Sequence, residues 1–301
     1  MKKDRKNKKR KGLRPGDVIL LAIMLTGFAV LFYPTVSDAW NTYRNSKLVT
    51  NYAAAADALS EAEYEAILRE ARAYNDQHTV NVIVDAFNED DNYVLTHPYD
   101  TLLNPAGDEV MGYISIPKID VQLPIFHGTA AESLEQGAGH IEGTSLPIGG
   151  RGTHAVLSAH RGLPSAKLFT DLDQLEEGDL FFLRILNETL AYEVDQILVV
   201  LPEDVDALAI DPDEDYVTLV TCTPYAVNTH RLLVRGHRTE YTQEDAKAME
   251  DVASQNRLRI LIVALIILLV ILLALLWLIK PWKKRKEDDT KQDGEEGRSP
   301  A

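Results

Sequence analysis

Two uncharged apolar runs bracket this chain and decide most of what it can become. The first covers Val18 to Val36, VILLAIMLTGFAVLFYPTV, and the second covers Ile260 to Ile279, ILIVALIILLVILLALLWLI. A helix needs about 20 residues to cross the roughly 30 Å hydrocarbon core of a bilayer. The second run is apolar on every face, whereas a helix packed on a soluble core keeps a polar side. The first ends at Ser37-Asp38-Ala39, which resembles a leader-cleavage site. Its apolar stretch exceeds the about 7–15 residues of a leader core, so it reads as an uncleaved anchor. Basic clusters precede the first run (MKKDRKNKKRKGLR) and follow the second (KPWKKRK). Such clusters stay cytoplasmic, and Arg257 and Arg259 on the outer flank oppose this only mildly. The expectation is a two-pass protein of the cell membrane, in contact with lipid. Both termini are inside and residues 37–256 form one outward domain.

That outward part is strongly acidic. Residues 37–256 hold 13 Lys and Arg against 38 Asp and Glu, a difference of −25. Nucleic acid as a partner is excluded, because it demands a basic footprint. The whole chain is 46% apolar and 26% charged, which rules out a disordered or collagen-like polymer. Cys222 is the single cysteine, so no intramolecular disulfide and no paired-cysteine metal site can form. A lone thiol facing an oxidising exterior is either buried or used.

Organisation changes near residue 109. Residues 38–75 read as one helix, with Tyr52, Ala55, Leu59, Ala62, Ala66, Ile67 and Tyr74 near helical spacing. Residues 76–108 are a polar stretch with apolar islands at Val82-Ile83-Val84 and Phe87, long enough to be a lid. From Met111 the runs MGYISIP, VQLPIFHG, THAVLSAH, DLFFLRIL, LAYEVDQILVV, YVTLVTCT and HRLLVRGH are short and β-rich, separated by Gly, Pro, Asn and Asp. That pattern predicts a mainly β barrel or sandwich. Leu186-Asn187-Glu188-Thr189 reads as a hairpin turn, and Leu168 to Leu175 as a short helical turn. The expected segments are 1–16 basic, 17–36 membrane helix, 37–108 helical region and lid, 109–240 barrel, 241–259 linker, 260–279 membrane helix and 280–301 charged tail. The tail after Lys286 is expected to be disordered.

The candidate chemistry gathers at strand ends. Cys222 closes YVTLVTC, and HRLLVRG begins eight residues later. If these strands pair, Arg231 comes near Cys222, where a guanidinium favours a thiolate or binds an oxyanion. A thiol of pKa about 8.5 also needs a base, and an imidazole supplies one. His160 follows the strand THAVLSA, but His127, His140, His154 and His237 also adjoin strands and remain alternatives. His230 would point away from Arg231 by strand alternation. No metal or other cofactor is expected: Asp171, Asp173, Glu176 and Glu177 lack a Ca²⁺-loop spacing. Gly149-Gly150 lacks a phosphate-loop context.

TLVTC (218–222) followed by TPYAVNTHRLLVRGHR (223–238) resembles the active-site signature of the sortases. MGYISIPKIDVQLPIFHGT (111–129), GHIEGTSLPIGG (139–150) and THAVLSAHRGLPSAKLFTDLD (153–173) resemble the pilus-assembly group, class C. The likeness covers nearly all of residues 99–238. It implies a closed eight-stranded barrel and a cysteine transpeptidase in a Gram-positive cell. Cys222 would attack the Thr–Gly bond of a Leu-Pro-x-Thr-Gly-type signal on a pilin or other surface protein. His160 would serve as acid and base, and Arg231 would bind the substrate backbone and the oxyanion. A pilin Lys amine would resolve the thioester. A cell-wall precursor amine is the alternative acceptor, and a non-enzymatic adhesin or scaffold is the alternative role. The class carries a lid with an Asp-Pro-aromatic motif. Here Asp85-Ala86-Phe87 has Ala in place of Pro, which removes the fixed φ that pre-sets such a turn. Asp85 would pair with Arg231, and Phe87 would cover Cys222.

Overall fold

The computed structural model describes residues 15–78, 87 and 98–295. Four helices, α1 (Pro15–Asp57), α2 (Glu61–Gln77), α3 (Ala131–Gln136) and α4 (Gln243–Glu295), surround eight strands. The strands are β1 (Val110–Ile116), β2 (Val121–His127), β3 (Ala138–His140), β4 (Thr153–Ser158), β5 (Leu180–Ile185), β6 (Glu188–Val200), β7 (Asp215–Thr223) and β8 (His230–Thr239). They close into a barrel in the order β1-β2-β3-β4-β7-β8-β6-β5, with β5 returning to β1. Only β2–β3 and β4–β7 are parallel. The short runs predict a mainly β barrel or sandwich and the family resemblance implies eight closed strands; the closed eight-stranded barrel is present.

Period-two burial divides β4, β7 and β8 between two clusters. Val217 and Leu219 of β7 point into the main core with Met111, Ile114, Leu183 and Tyr192. Val220 instead joins Val156, Leu233, Ile141 and Leu208 in a second cluster on the outside of the β4–β7–β8 wall. Alternation puts Cys222 on the same outer face as Val220, and Arg231 on that of Leu233. The second cluster is thus the floor of the face that carries the thiol.

Three local features differ from the expected segments. Residues 38–75 are not one helix: α1 ends at Asp57 and α2 starts at Glu61. The restart is a capping box. Ser60 Oγ accepts from Glu63 N–H, and the Glu63 carboxylate accepts from Ser60 N–H at 2.9 Å. The stretch 241–259 is mostly helix rather than linker, since α4 is continuous from Gln243. Thr242 and Asp245 form its start in the same way, with Thr242 N–H donating to the Asp245 carboxylate at 2.8 Å. The helix also continues past Lys286 to Glu295, through the tail expected to be disordered. The β5–β6 hairpin turns at Leu186-Asn187 as expected, with Leu186 at φ +48° and its side chain buried in the core.

The second half of α1 runs along the barrel and is fastened at two places. Near its middle Asp38 accepts from Lys167 N–H (2.8 Å), and Asn41 Nδ2 donates to Ser165 O (2.8 Å). Further on, the fully buried Tyr52 donates to Met111 O and accepts from Leu186 N–H, both at 2.8 Å. α2 is held by Asn75, whose amide takes Leu146 N–H at 2.7 Å and gives to Leu146 O at 3.2 Å.

Candidate active site

Cys222 and Arg231 face each other directly across the antiparallel β7–β8 pair. Paired residues project to the same side of a sheet, so the guanidinium and the thiol share one surface. Both are largely covered, at 6% and 8% exposure. Arg231 Nη1 donates to Asn228 O (3.2 Å) and His230 O (3.1 Å), which turns its head back over the start of β8.

His160 arrives from the parallel neighbour. The β4–β7 register ends with Ser158 opposite Val220, and two more residues in the same register bring His160 level with Cys222. The chain keeps this alignment past the strand end. Ala159 N–H donates to Val220 O (3.1 Å), and Thr221 Oγ1 donates to Ala159 O (2.7 Å). His160 O in turn accepts from Phe169 N–H at 3.1 Å. Burial lowers the proton affinity of the His160 imidazole below its ordinary value, and the nearby Glu135 carboxylate partly opposes this. The imidazole is therefore biased toward its neutral form.

Phe87 lies over this group. Its ring centroid is 5.5 Å from that of His160, and Arg231 Cζ stands 5.1 Å from it in cation–π range. Its underside packs on the second hydrophobic cluster. Asp85 and Ala86 lie outside the described residues.

The rival histidines have other roles. His140 bridges the Tyr99 hydroxyl (2.8 Å) and Ser145 O (2.8 Å) in the interior, and burial drives its pKa to about 4. His154 is bonded to Ala209 O (2.9 Å) and Thr218 Oγ1 (2.7 Å), and burial likewise drives it to about 4. His127 joins Glu109 O (2.9 Å) to Leu102 O (2.6 Å). His237 pairs with Tyr216 and Glu193 near the opposite end of β8. His230 sits beside Arg231 and bonds Thr229 Oγ1 at 2.9 Å.

Some residues near the site were not anticipated. Arg161 donates to Thr223 Oγ1 (3.1 Å) and forms an ion pair with Asp173, tying the loop after His160 to the residue after Cys222. Gly162, at φ +78°, lets the Tyr225 ring lie against it; a Cβ there would come within 2.8 Å of that ring. The adjacency of Arg161 and Gly162 to His160 was the only signal in the sequence, and it named no partners.

A thiol, a guanidinium and an imidazole on one surface are the group types that acyl transfer uses. Comparison with known proteins agrees. The Sortase domain family profile matches residues 114–239. Sortase C-1 of Streptococcus pneumoniae is 46% identical, with a TM-score of 0.60, over 65% of this chain and 100% of that one. Sortase C1 of Streptococcus agalactiae is 45% identical, with a TM-score of 0.59, over 65% of this chain and 100% of that one. Among curated proteins, Sortase A of S. agalactiae serotype III is 34% identical over 147 residues, 48% of this chain. The match spans 58% of that relative's own length. This chain belongs to the sortase family of cysteine transpeptidases. Within the family its solved neighbours are sortase C enzymes, and it is of that class.

Proposed function

We propose that this protein polymerises pilin subunits outside the cell, as a membrane-anchored transpeptidase with Cys222 as nucleophile. The observation that carries this reading is the alignment of Cys222, Arg231 and His160 on one face beneath the Phe87 ring. The solved neighbours support the choice of substrate, one of them being a pilus-related sortase C of Group B Streptococcus, 45% identical over 64% of this chain. Two helices long and apolar enough to cross a membrane support the anchoring.

In the proposed cycle the Cys222 thiolate attacks the Thr carbonyl carbon of a Leu-Pro-x-Thr-Gly-type signal. Arg231 donates to the oxygen that becomes negative. The C–N bond to Gly breaks as the His160 imidazolium gives its proton to the leaving amine. A thioester remains on Cys222. A pilin Lys amine then attacks that thioester, His160 accepts the proton, and collapse releases an isopeptide and the free thiolate. A neutral imidazole over a covered thiol fits a resting state in which Phe87 blocks the carbonyl's place. Displacing Phe87 re-hydrates His160, which raises its proton affinity and favours the thiolate–imidazolium pair. In this reading Asp85 would pair with Arg231 and so help hold the lid.

The test is intact mass. Residues 38–256 carrying Phe87→Ala, incubated with a Leu-Pro-x-Thr-Gly peptide, gain the mass of the acyl portion and lose that gain with Cys222→Ala. Addition of a pilin Lys peptide then clears the adduct as an isopeptide product. Clearance only by a peptidoglycan-type amine would move the acceptor to the cell wall. A freely alkylated Cys222 that never acylates would overturn the sorting-signal substrate.

A further inference from the structure

α1 and α4 leave the barrel at one end, and that end is the catalytic one. β4 and β7 finish there, at Ser158 and Thr223, and β8 begins there, at His230. The turn between β1 and β2 (117–120) and the loop after His160 (161–171) close the same end, joined where Lys167 Nζ donates to Ile119 O at 2.6 Å. Both helices meet these segments just as their apolar runs stop. Asp38 and Asn41 bond Lys167 and Ser165, only two and five residues beyond Val36. Arg259, adjacent to the first residue of the second run, pairs with Asp120 at 3.8 Å. Asp38, Asn41, Asp120, Lys167, Asn256 and Arg259 are among the residues lining one small crevice where helices and barrel converge.

We propose that the catalytic end of the barrel faces the bilayer and rests in its headgroup layer, so that Cys222 works at the level of the lipid surface. The proposal depends on the reading of α1 and α4 as membrane spans. Helix rise supplies the ruler. At about 1.5 Å per residue, Asn41 stands roughly 8 Å beyond Val36. That is close to the about 5–8 Å thickness of each polar layer. On the same scale Tyr52, fastened to the far end at Met111 and Leu186, stands roughly 24 Å out. α4 gives a second reading: Gln243, next to the far end of β8, is 17 residues before Ile260, roughly 26 Å. Two helices without a break at the membrane boundary leave the barrel no slack to invert. Pro34 falls inside the apolar run, on the lipid side of all these contacts.

Charge does not hold this face down. A domain of net −25 is repelled by an anionic surface. The contact is imposed by the continuity of the two helices, and it is expected to be insensitive to salt.

The full chain with Cys222→Ala carries no native thiol and can be labelled at one introduced cysteine. Fluorophores at Pro164→Cys in the catalytic-end loop and at Glu240→Cys at the far end report height in nanodiscs holding lipids with a headgroup-linked quencher. At least twofold stronger quenching at Pro164 than at Glu240, unchanged by salt, is expected. Leu31→Cys and Leu269→Cys, read with an acyl-chain quencher, report insertion. Quenching of both with Glu240 equal to or above Pro164 overturns the orientation alone. No quenching at Leu31 and Leu269 overturns the membrane reading, and the orientation with it.

Discussion

At the scale of single residues, the proposed division of labour gives Arg231 a role that charge alone cannot fill. Its Nη1 donates to both Asn228 O and His230 O, while its Cζ stands over the Phe87 ring. Arg231→Ala is expected to slow acylation of Cys222 by about 10²–10³-fold, the usual cost of an oxyanion donor. Arg231→Lys should recover little, because an ammonium cannot reproduce the fork. Single-turnover mass spectrometry measures both, and alkylation of Cys222 by a small reagent should survive in each. Tyr52 offers a structural counterpart. Tyr52→Phe removes a donor to Met111 O and strands the buried Leu186 N–H. A loss of about 1–3 kcal/mol in urea unfolding of residues 38–256 is expected. The Cys222–Arg231 meeting was readable from two β-rich runs separated by a short loop. The choice of His160 was not, because five histidines adjoin strands and only the parallel β4–β7 register brings one of them level with Cys222. Parallel pairing joins segments some sixty residues apart and leaves no local pattern.

At the scale of elements, caps did more than periodicity. Apolar spacing carried one helical reading across residues 38–75, yet Ser60 and Glu63 end one helix and begin another. Ser60-Glu61-Ala62-Glu63 is a sequence-level start signal, obscured by helix formers on both sides. Ser60→Ala is expected to cost about 1 kcal/mol. For a domain of this size, that lowers the thermal midpoint by about 2–4 °C in a calorimetric scan. The strand missed in the sequence, β3, has only Ala138, Gly139 and His140. It lacks side chains of strand preference and exists because its neighbours pair on both sides. Gly139 is also required sterically, since a Cβ there would lie 2.3 Å from Gly128 O.

At the scale of the whole molecule, two buried imidazoles make the fold acid-sensitive. His140 and His154 are each pushed by burial to about 4 from an ordinary value of 6.5. Between those limits the unfolded chain binds protons that the native state refuses, so stability falls as pH falls. Each group contributes up to about 1.4 kcal/mol per pH unit within that window. The urea midpoint of residues 38–256 should drop between about pH 7 and pH 5, and His154→Gln should flatten the slope. The mainly β class was foreseeable from many short strands and the closed barrel from the family resemblance, whereas strand order was not legible in the residues, because closure depends on β1 pairing with β5 after β2, β3 and β4 have intervened in the chain.

The fastening of α1 has a consequence for the order in which the molecule is assembled. Asp38, Tyr52 and Ala56 take partners that follow them by 129, 134 and 131 residues. The first outward segment made is therefore among the last to find its seat. While strands β1 to β5 emerge, the outer half of α1 can pack on β1 and β2 but lacks its fastening to Leu186 and Asn187, and its helix is marginal without its full tertiary contacts. Release of the β5–β6 hairpin supplies the Leu186 N–H and the Asn187 amide that close the account at its far end. Until that moment the far end of α1 lacks its last fastening, and a chain stalled before residue 186 should leave Tyr52 more open to proteolysis than the finished protein does.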